Sequence, residues 1–186
     1  VESGSSLGRS WNLSSSAESG EDLTWFSLTV LRASGSIVCA SHAGLLISIS
    51  VDLSTGKWGD EVMVEGDVEC GIMIAAWSPD QSRFVVLTNQ HTMLCMNSEW
   101  DVLDEVPFIE APAVDTTVNM SWRGDGEQFA LQSIDATGVS TLRVYSNELE
   151  LVSTGRNIAD GPASVLKGVG NSVAFSTNGV LVAFPQ

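Results

Sequence analysis

The chain has 186 residues, of which 44% are hydrophobic and 17% charged, and its 23 acidic and 8 basic residues give a net charge of −15. This apolar content is typical of a folded domain and excludes a disordered chain. The basic residues are spread singly, so the sequence predicts neither a nucleic-acid surface, which needs clustered cations, nor binding to an anionic membrane. The cysteines Cys39, Cys70 and Cys95 form no CxxC pair, which favours a reducing compartment over a disulfide scaffold.

Residues 1–23 are rich in serine and glycine and are predicted to form a loop or linker. From residue 24 the chain consists of short apolar runs between turns, such as "WFSLTVL", "LLISISV", "FVVLT" and "TLRVY". Many of these runs are β-branched, and helical periodicity is never sustained over a full helix length. The pattern predicts many short strands and an all-β fold.

Three segments repeat one pattern: "AAWSPDQSRFVVL" (75–87), "MSWRGDGEQFALQ" (120–132) and "VAFSTNGVLVAF" (173–184). Each has an aromatic residue, an Asp or Asn three positions later, and an apolar residue at plus seven. The repeated positions are Trp77, Asp80 and Phe84; Trp122, Asp125 and Phe129; and Phe175, Asn178 and Val182. A weaker copy has Val30 and Ile37 in the same positions.

The repeat also predicts the architecture. Each copy is followed by a second turn, a third apolar run and a fourth, so that four short strands recur about every 45 residues, as in the blade of a β-propeller. We expect blades near 24–66, 67–110 and 111–156, and an incomplete one at 157–186. Because a propeller closes to hide its edge strands, the segment is predicted to be an open arc of three to four WD-like blades of a longer ring.

The repeated acids have two readings. Asp80 and Asp125 could act as catalytic acids or metal ligands, or they could shape tight turns by accepting hydrogen bonds from their own backbone. A catalytic group needs no copy in successive blades, whereas a turn does. The turn interpretation is therefore favoured, and no catalytic residue is assigned.

Other motifs carry weak signals. "RGD" at 123–125 matches an adhesion triplet but falls on the repeated turn. "DGEQF" resembles the Asp-box of sialidase-like propellers, yet the single tyrosine, Tyr145, lies in a strand run. His42 and His91 fall in turns and lack the converging partners that zinc requires. The sequence thus predicts no metal site and no cofactor.

Two long motifs carry a family resemblance. "GIMIAAWSPDQSRFVVLTNQHTMLCMNSEWDVLDEVPF" resembles the first propeller of the largest Elongator subunit (the IKAP family), and "MSWRGDGEQFALQSID…TLRVYSNELELVSTG" resembles a later blade of it. The resemblance covers residues 70–186 well and residues 24–69 only in pattern. The connection "IEAPAVDTTVNM" is shorter than in the family.

The resemblance implies a non-catalytic scaffold subunit of a complex that modifies the wobble uridine of tRNA. The implied partners are other Elongator subunits, among them the catalytic acetyltransferase-like subunit and a second WD-repeat subunit, in a complex that is homodimeric through regions outside this segment. The implied compartment is the cytoplasm, with the nucleus as a second one. A generic WD-repeat adaptor of another complex and a propeller hydrolase remain as alternatives.

Interaction surfaces of this kind draw on aromatic anchors. The tryptophans outside the repeated positions, Trp25, Trp58 and Trp100, are therefore candidates to face partners. Packing on the outer part of a blade is the alternative for each of them.

Overall fold

The computed structural model describes residues 25–52, 54–108, 117–134, 140–157, 172–175 and 181–184. Every regular element in these ranges is a β-strand, so the predicted all-β class is confirmed. The first sheet contains β1 (Trp25–Leu31), β2 (Ser36–Ser41), β3 (Leu45–Asp52) and β4 (Lys57–Asp67). The second contains β5 (Ile72–Trp77), β6 (Phe84–Thr88), β7 (Thr92–Met96) and β8 (Val102–Pro107).

The third sheet contains β9 (Thr117–Trp122), β10 (Gln128–Ile134), β11 (Ser140–Ser146) and β12 (Leu151–Asn157), and a two-stranded sheet pairs β13 (Ser172–Phe175) with β14 (Leu181–Phe184). Each four-stranded sheet is an antiparallel meander in chain order. We call the three four-stranded sheets blades 1 to 3, in chain order, and the two-stranded sheet blade 4.

The first strands of successive blades lie beside one another: β1 contacts β5, β5 contacts β9, and β9 contacts β13. The blades therefore follow one another side by side around an inner row of strands, and the described sheets form an open arc. This is the predicted arrangement of propeller blades, with the fourth strand of blades 1, 2 and 3 at the outside.

The middle strands explain why the arc holds together. In β6, Phe84 and Val86 pack in a core shared with Ala40 and Leu46 of blade 1. Its alternate residues Val85 and Leu87 pack in a core shared with blade 3. Since side chains of a strand alternate between faces, a strand buried on both faces must be apolar throughout, as "FVVL" is. The blades are thus stabilised mainly by contact with their neighbours.

Blade 3 continues this arrangement. Its Phe129 and Leu131, in positions equivalent to Phe84 and Val86, enter the core shared with blade 2, together with Tyr145. All three side chains are buried. The plus-seven position of the repeat therefore points toward the preceding blade in both complete copies.

Candidate interaction surfaces and the repeated turn

The first repeated turn is closed by its own side chains. The Ser78 hydroxyl donates to Asp80 Oδ1, and the same oxygen accepts the Ser82 amide at 3.2 Å. The Gln81 amide donates to the Ser78 carbonyl at 2.9 Å. The hydrogen bonds from Ser78 first, and then from Ser82, hold the pKa of Asp80 below its usual range. Asp80 is thus an ionised acceptor fixed within the turn.

The second repeated turn uses the same positions with different chemistry. Arg123 Nε donates to both oxygens of Asp125 at 2.8 Å, and Asp125 Oδ1 also accepts the Glu127 amide at 3.1 Å. The Arg123 hydrogen bonds are the main reason that the pKa of Asp125 is lowered. Within the "RGD" triplet the two charged side chains therefore bind each other. This arrangement fits the turn interpretation and leaves the pair unsuited to adhesion.

Each repeated turn also touches the blade before it. The Gln81 side chain donates to the Val30 carbonyl and accepts the Arg32 amide at 2.9 Å, both in blade 1. Gly126 lies against Pro79 and Asp80 of blade 2, so closely that an added Cβ would be 3.6 Å from Asp80 Oδ1. The turns thus link neighbouring blades along one end of the arc.

Trp77 belongs to an aromatic cluster. Its ring stacks on Phe84, directly opposite in β6, with 4.8 Å between the centroids. The Trp100 ring packs edge-on against both, at 5.7 Å from Trp77 and 5.9 Å from Phe84. Trp100, which the sequence offered as a partner-facing candidate, is half-buried in this cluster. Its backbone φ is +68°.

Trp122 spans two blades. It lies opposite Phe129, with 5.0 Å between the ring centroids, and Phe129 stacks in turn on Tyr145 at 5.4 Å. The indole Nε1 donates to the Ala76 carbonyl of blade 2 at 3.2 Å. The ring therefore provides both apolar packing and a hydrogen bond between β9 and β5.

The third copy of the repeat differs in its pairing. Phe175 lies opposite Leu181, and Val182 lies opposite Ala174. The residue facing the aromatic position is therefore the sixth and not the seventh after it, since five residues separate the paired positions here and six separate them in blades 2 and 3. Asn178 lies outside the described residues.

The other two candidate tryptophans lie on strands at opposite edges of blade 1. Trp25 begins β1, the inner strand, and is paired with Ser41; its side chain lies outside what the structure describes. Trp58 is in the outer strand β4, opposite Val51, and is 41% exposed. Trp58 is thus the candidate with the most accessible ring among those described.

Groups with catalytic potential are dispersed. His42 Nδ1 is 2.9 Å from the Ile72 carbonyl, where it ties blade 1 to blade 2. Burial raises the pKa of the Cys95 thiol, which is fully buried. Among the described residues, no three His, Cys, Asp or Glu side chains converge as a metal site would require. Nor do the described ranges contain a helix with the length and apolar character of a membrane span.

Two surface features were not singled out from the sequence. One is a cavity of about 560 Å³ between blades 1 and 2, lined by the turns at 31–34, 79–81 and 98–99. The other is the outer strands, whose exposed apolar side chains occur as adjacent pairs: Met63 and Val64, Val102 and Leu103, Leu151 and Val152. The sequence contains a signal for these exposed pairs, because adjacent apolar residues break the alternation expected of a half-buried strand.

Comparison with known proteins agrees with this architecture. The family described as "ELP1 first N-terminal beta-propeller" matches residues 5–114 and 111–186. The two matches meet in the short connection between β8 and β9. The WD40 domain of Toxoplasma gondii coronin has a TM-score of 0.51 over 72% of this chain and 34% of its own, at 9% identity. This structural likeness bears on the fold alone.

Sequence relatives point to the same family. Elongator complex protein 1 of Rattus norvegicus is 27% identical over 160 residues, covering 65% of this chain and 11% of the rat protein. The protein of that name from Drosophila melanogaster is 27% identical over 197 residues, covering 84% of this chain and 15% of the fly protein. The chain spans less than a sixth of the length of either relative. Because the family match extends over nearly the whole chain, the chain belongs to the family of ELP1 first N-terminal β-propellers.

Proposed function

We propose that this chain is a non-catalytic part of the Elongator scaffold. The observation that carries the proposal is the family match over residues 5–114 and 111–186, together with relatives named Elongator complex protein 1. A role as a component of the Elongator complex is the function that agrees best with both the family and the fold.

The use of the repeated side chains supports a scaffold over an enzyme. Asp125 is bound by Arg123 of its own turn, and Trp122 donates to a neighbouring blade. Asp80 is likewise held by Ser78 and Ser82. Groups engaged in this way stabilise the arc and have little capacity left for proton transfer. The outer strands, whose apolar side chains are exposed, are then the surfaces available to partners.

The proposal extends to the whole complex. The catalytic acetyltransferase-like subunit would carry out the chemistry on the wobble uridine of tRNA, while this subunit would hold it together with a second WD-repeat subunit. Dimerisation would use regions outside this segment. The acidic surface argues against direct binding of tRNA here. The site of action would be the cytoplasm, with the nucleus as a second location.

Affinity purification of the tagged full-length protein from its native cells tests the proposal. We expect the catalytic acetyltransferase-like subunit and the second WD-repeat subunit to be recovered in amounts comparable to the bait. A tagged, unrelated WD-repeat protein is the control. Recovery of a different stable complex, without Elongator subunits, would overturn the proposal in favour of a generic WD-repeat adaptor.

A further inference from the structure

The outer side of blades 2 and 3 combines apolar and acidic groups around one cleft. Leu103, Asp104 and Val106 of β8 line one wall, and residues 148–150 of the turn between β11 and β12 line the other, with Arg83 beside them. The cleft has a volume of about 530 Å³, enough for a few side chains. We call it the acidic cleft.

Exposed apolar side chains lie in and beside the acidic cleft, whose lining is otherwise largely polar. Leu103 is 48% exposed, and Val102, Leu151 and Val152 next to the cleft are between 43% and 54% exposed. Of the large apolar side chains that are exposed among the described residues, only Val30 lies away from an outer strand. Exposed apolar residues grouped in this way mark interaction surfaces.

The charges decide what kind of partner fits. Asp104, Glu148 and Glu150 border the cleft, and no ion pair within the described ranges neutralises them, since the ion pairs found there are those of Arg123. Arg83 directs Nη1 toward the buried Cys95 Sγ at 3.8 Å. The cleft therefore attracts cations and repels nucleic acid and anionic lipid, as does the net charge of −15.

The strands decide the shape of the partner. The acidic cleft runs beside β8 and the start of β12, the outermost strands of their sheets. An extended segment lying along an outer strand directs alternate side chains to the two faces of the sheet. Leu103 and Asp104 are adjacent in β8 and also point to opposite faces. A segment with lysine or arginine at every second position would then place its cations on the side of Asp104 and its intervening apolar residues on the side of Leu103.

We propose that the acidic cleft binds an extended, basic and apolar segment of a partner protein. The inference deepens the proposed scaffold function and rests on it, because it specifies the chemistry by which this surface would hold a neighbouring subunit. A segment bound in the cleft would place its cations against Asp104, Glu148 and Glu150.

The test uses the purified full-length protein and a short fluorescent peptide in which lysine and leucine alternate. We expect anisotropy to detect binding of this peptide but not of its counterpart with glutamate in place of lysine. The double variant Glu148→Gln/Glu150→Gln should weaken binding about tenfold, as expected for two lost ion pairs. Leu103→Ser should also weaken it, including at high salt, because it removes an apolar contact.

The matched control is Glu69→Gln/Glu99→Gln, which removes the same charge from exposed positions outside the cleft. It should leave the affinity nearly unchanged, and thermal unfolding verifies that each variant is folded. Equal weakening by both double variants, or by neither, would overturn the proposal. The peptide assay contains no Elongator subunit. If the peptide failed to bind, the result of the affinity purification would therefore stand, and if the purification recovered no Elongator subunits, the peptide result would stand.

Discussion

At the scale of single residues, Trp122 connects two blades through its side chain. Its ring packs on Phe129 and its Nε1 donates to the Ala76 carbonyl of the neighbouring blade. Trp122→Ala should lower the free energy of unfolding by about 3–5 kcal/mol, because it removes the ring and leaves a cavity. Urea denaturation of the full-length protein, followed by a probe in this propeller, measures the loss.

Trp122→Phe is the informative companion. It keeps an aromatic ring against Phe129 but cannot donate to Ala76, so it should cost closer to 1 kcal/mol, the typical net worth of a hydrogen bond. If the two variants were equally destabilised, the packing role assigned to the ring would be wrong.

Asp125 should affect stability in a pH-dependent way. Its pKa is lowered chiefly by the Arg123 hydrogen bonds, so the folded state favours the ionised carboxylate. The contribution is present above the ordinary pKa of aspartate and is lost as the pH falls through the lowered value. The melting temperature of Asp125→Asn should therefore lie slightly below that of the wild type at neutral pH. The difference should close at acid pH, and a difference that is constant with pH would contradict the assignment.

At the scale of elements, the connections between blades are tightly packed. Gly71, between β4 and β5, has φ +73°, and an added Cβ would lie 2.8 Å from the His42 carbonyl oxygen. Gly56, between β3 and β4, has φ +66° with nothing within 4 Å. The two positions therefore share the backbone conformation that favours glycine but differ in the space around it.

This contrast gives a matched pair of variants. Gly56→Ala should cost about 1 kcal/mol, from backbone strain alone. Gly71→Ala should cost about 3 kcal/mol or more, since backbone atoms of blade 1 must also move. Thermal unfolding of both variants checks the difference. Equal losses would show that blades 1 and 2 are not packed as closely as described.

Strand pairing was predictable where the local pattern determines it. Trp77 and Phe84, seven residues apart, lie directly opposite, because a turn of fixed length joins two strands of clear alternation. The repeated spacing does not mark the paired residues in blade 4, where Phe175 lies opposite Leu181. The apolar run "VLVAF" would allow either Leu181 or Val182 to lie opposite Phe175, so the sequence pattern does not determine the pairing there.

Side-chain placement in turns was not predictable in the same way. Trp100 stands in an acidic, exposed stretch, has a positive φ, and packs its ring edge-on against Trp77. The residue that directly follows the repeat tryptophan binds the turn acid in both blades: Ser78 binds Asp80, and Arg123 binds Asp125. These hydrogen bonds are visible only in the folded turn. The acidic cleft combines β8 with a turn more than 40 residues away, a contact that arises only from the arc.

At the scale of the whole molecule, blade 2 shares one core with blade 1 and another with blade 3. Val85 and Leu87 face blade 3 while Phe84 and Val86 face blade 1, so the blades are expected to unfold cooperatively rather than one by one. An arc held together in this way suits the proposed role of holding other subunits in place. Under that proposal the turn acids would stabilise the arc and take no part in the reaction of the complex.

The central claim is that this protein supports wobble-uridine modification without contributing catalytic groups. Mass spectrometry of tRNA from cells depleted of the protein, and re-expressing full-length forms, tests it most directly. We expect depletion to reduce the modification, and the wild type and the Asp80→Asn/Asp125→Asn variant to restore it equally at matched abundance. If the variant accumulated normally but failed to restore the modification, or if depletion left the modification intact, the account would be contradicted.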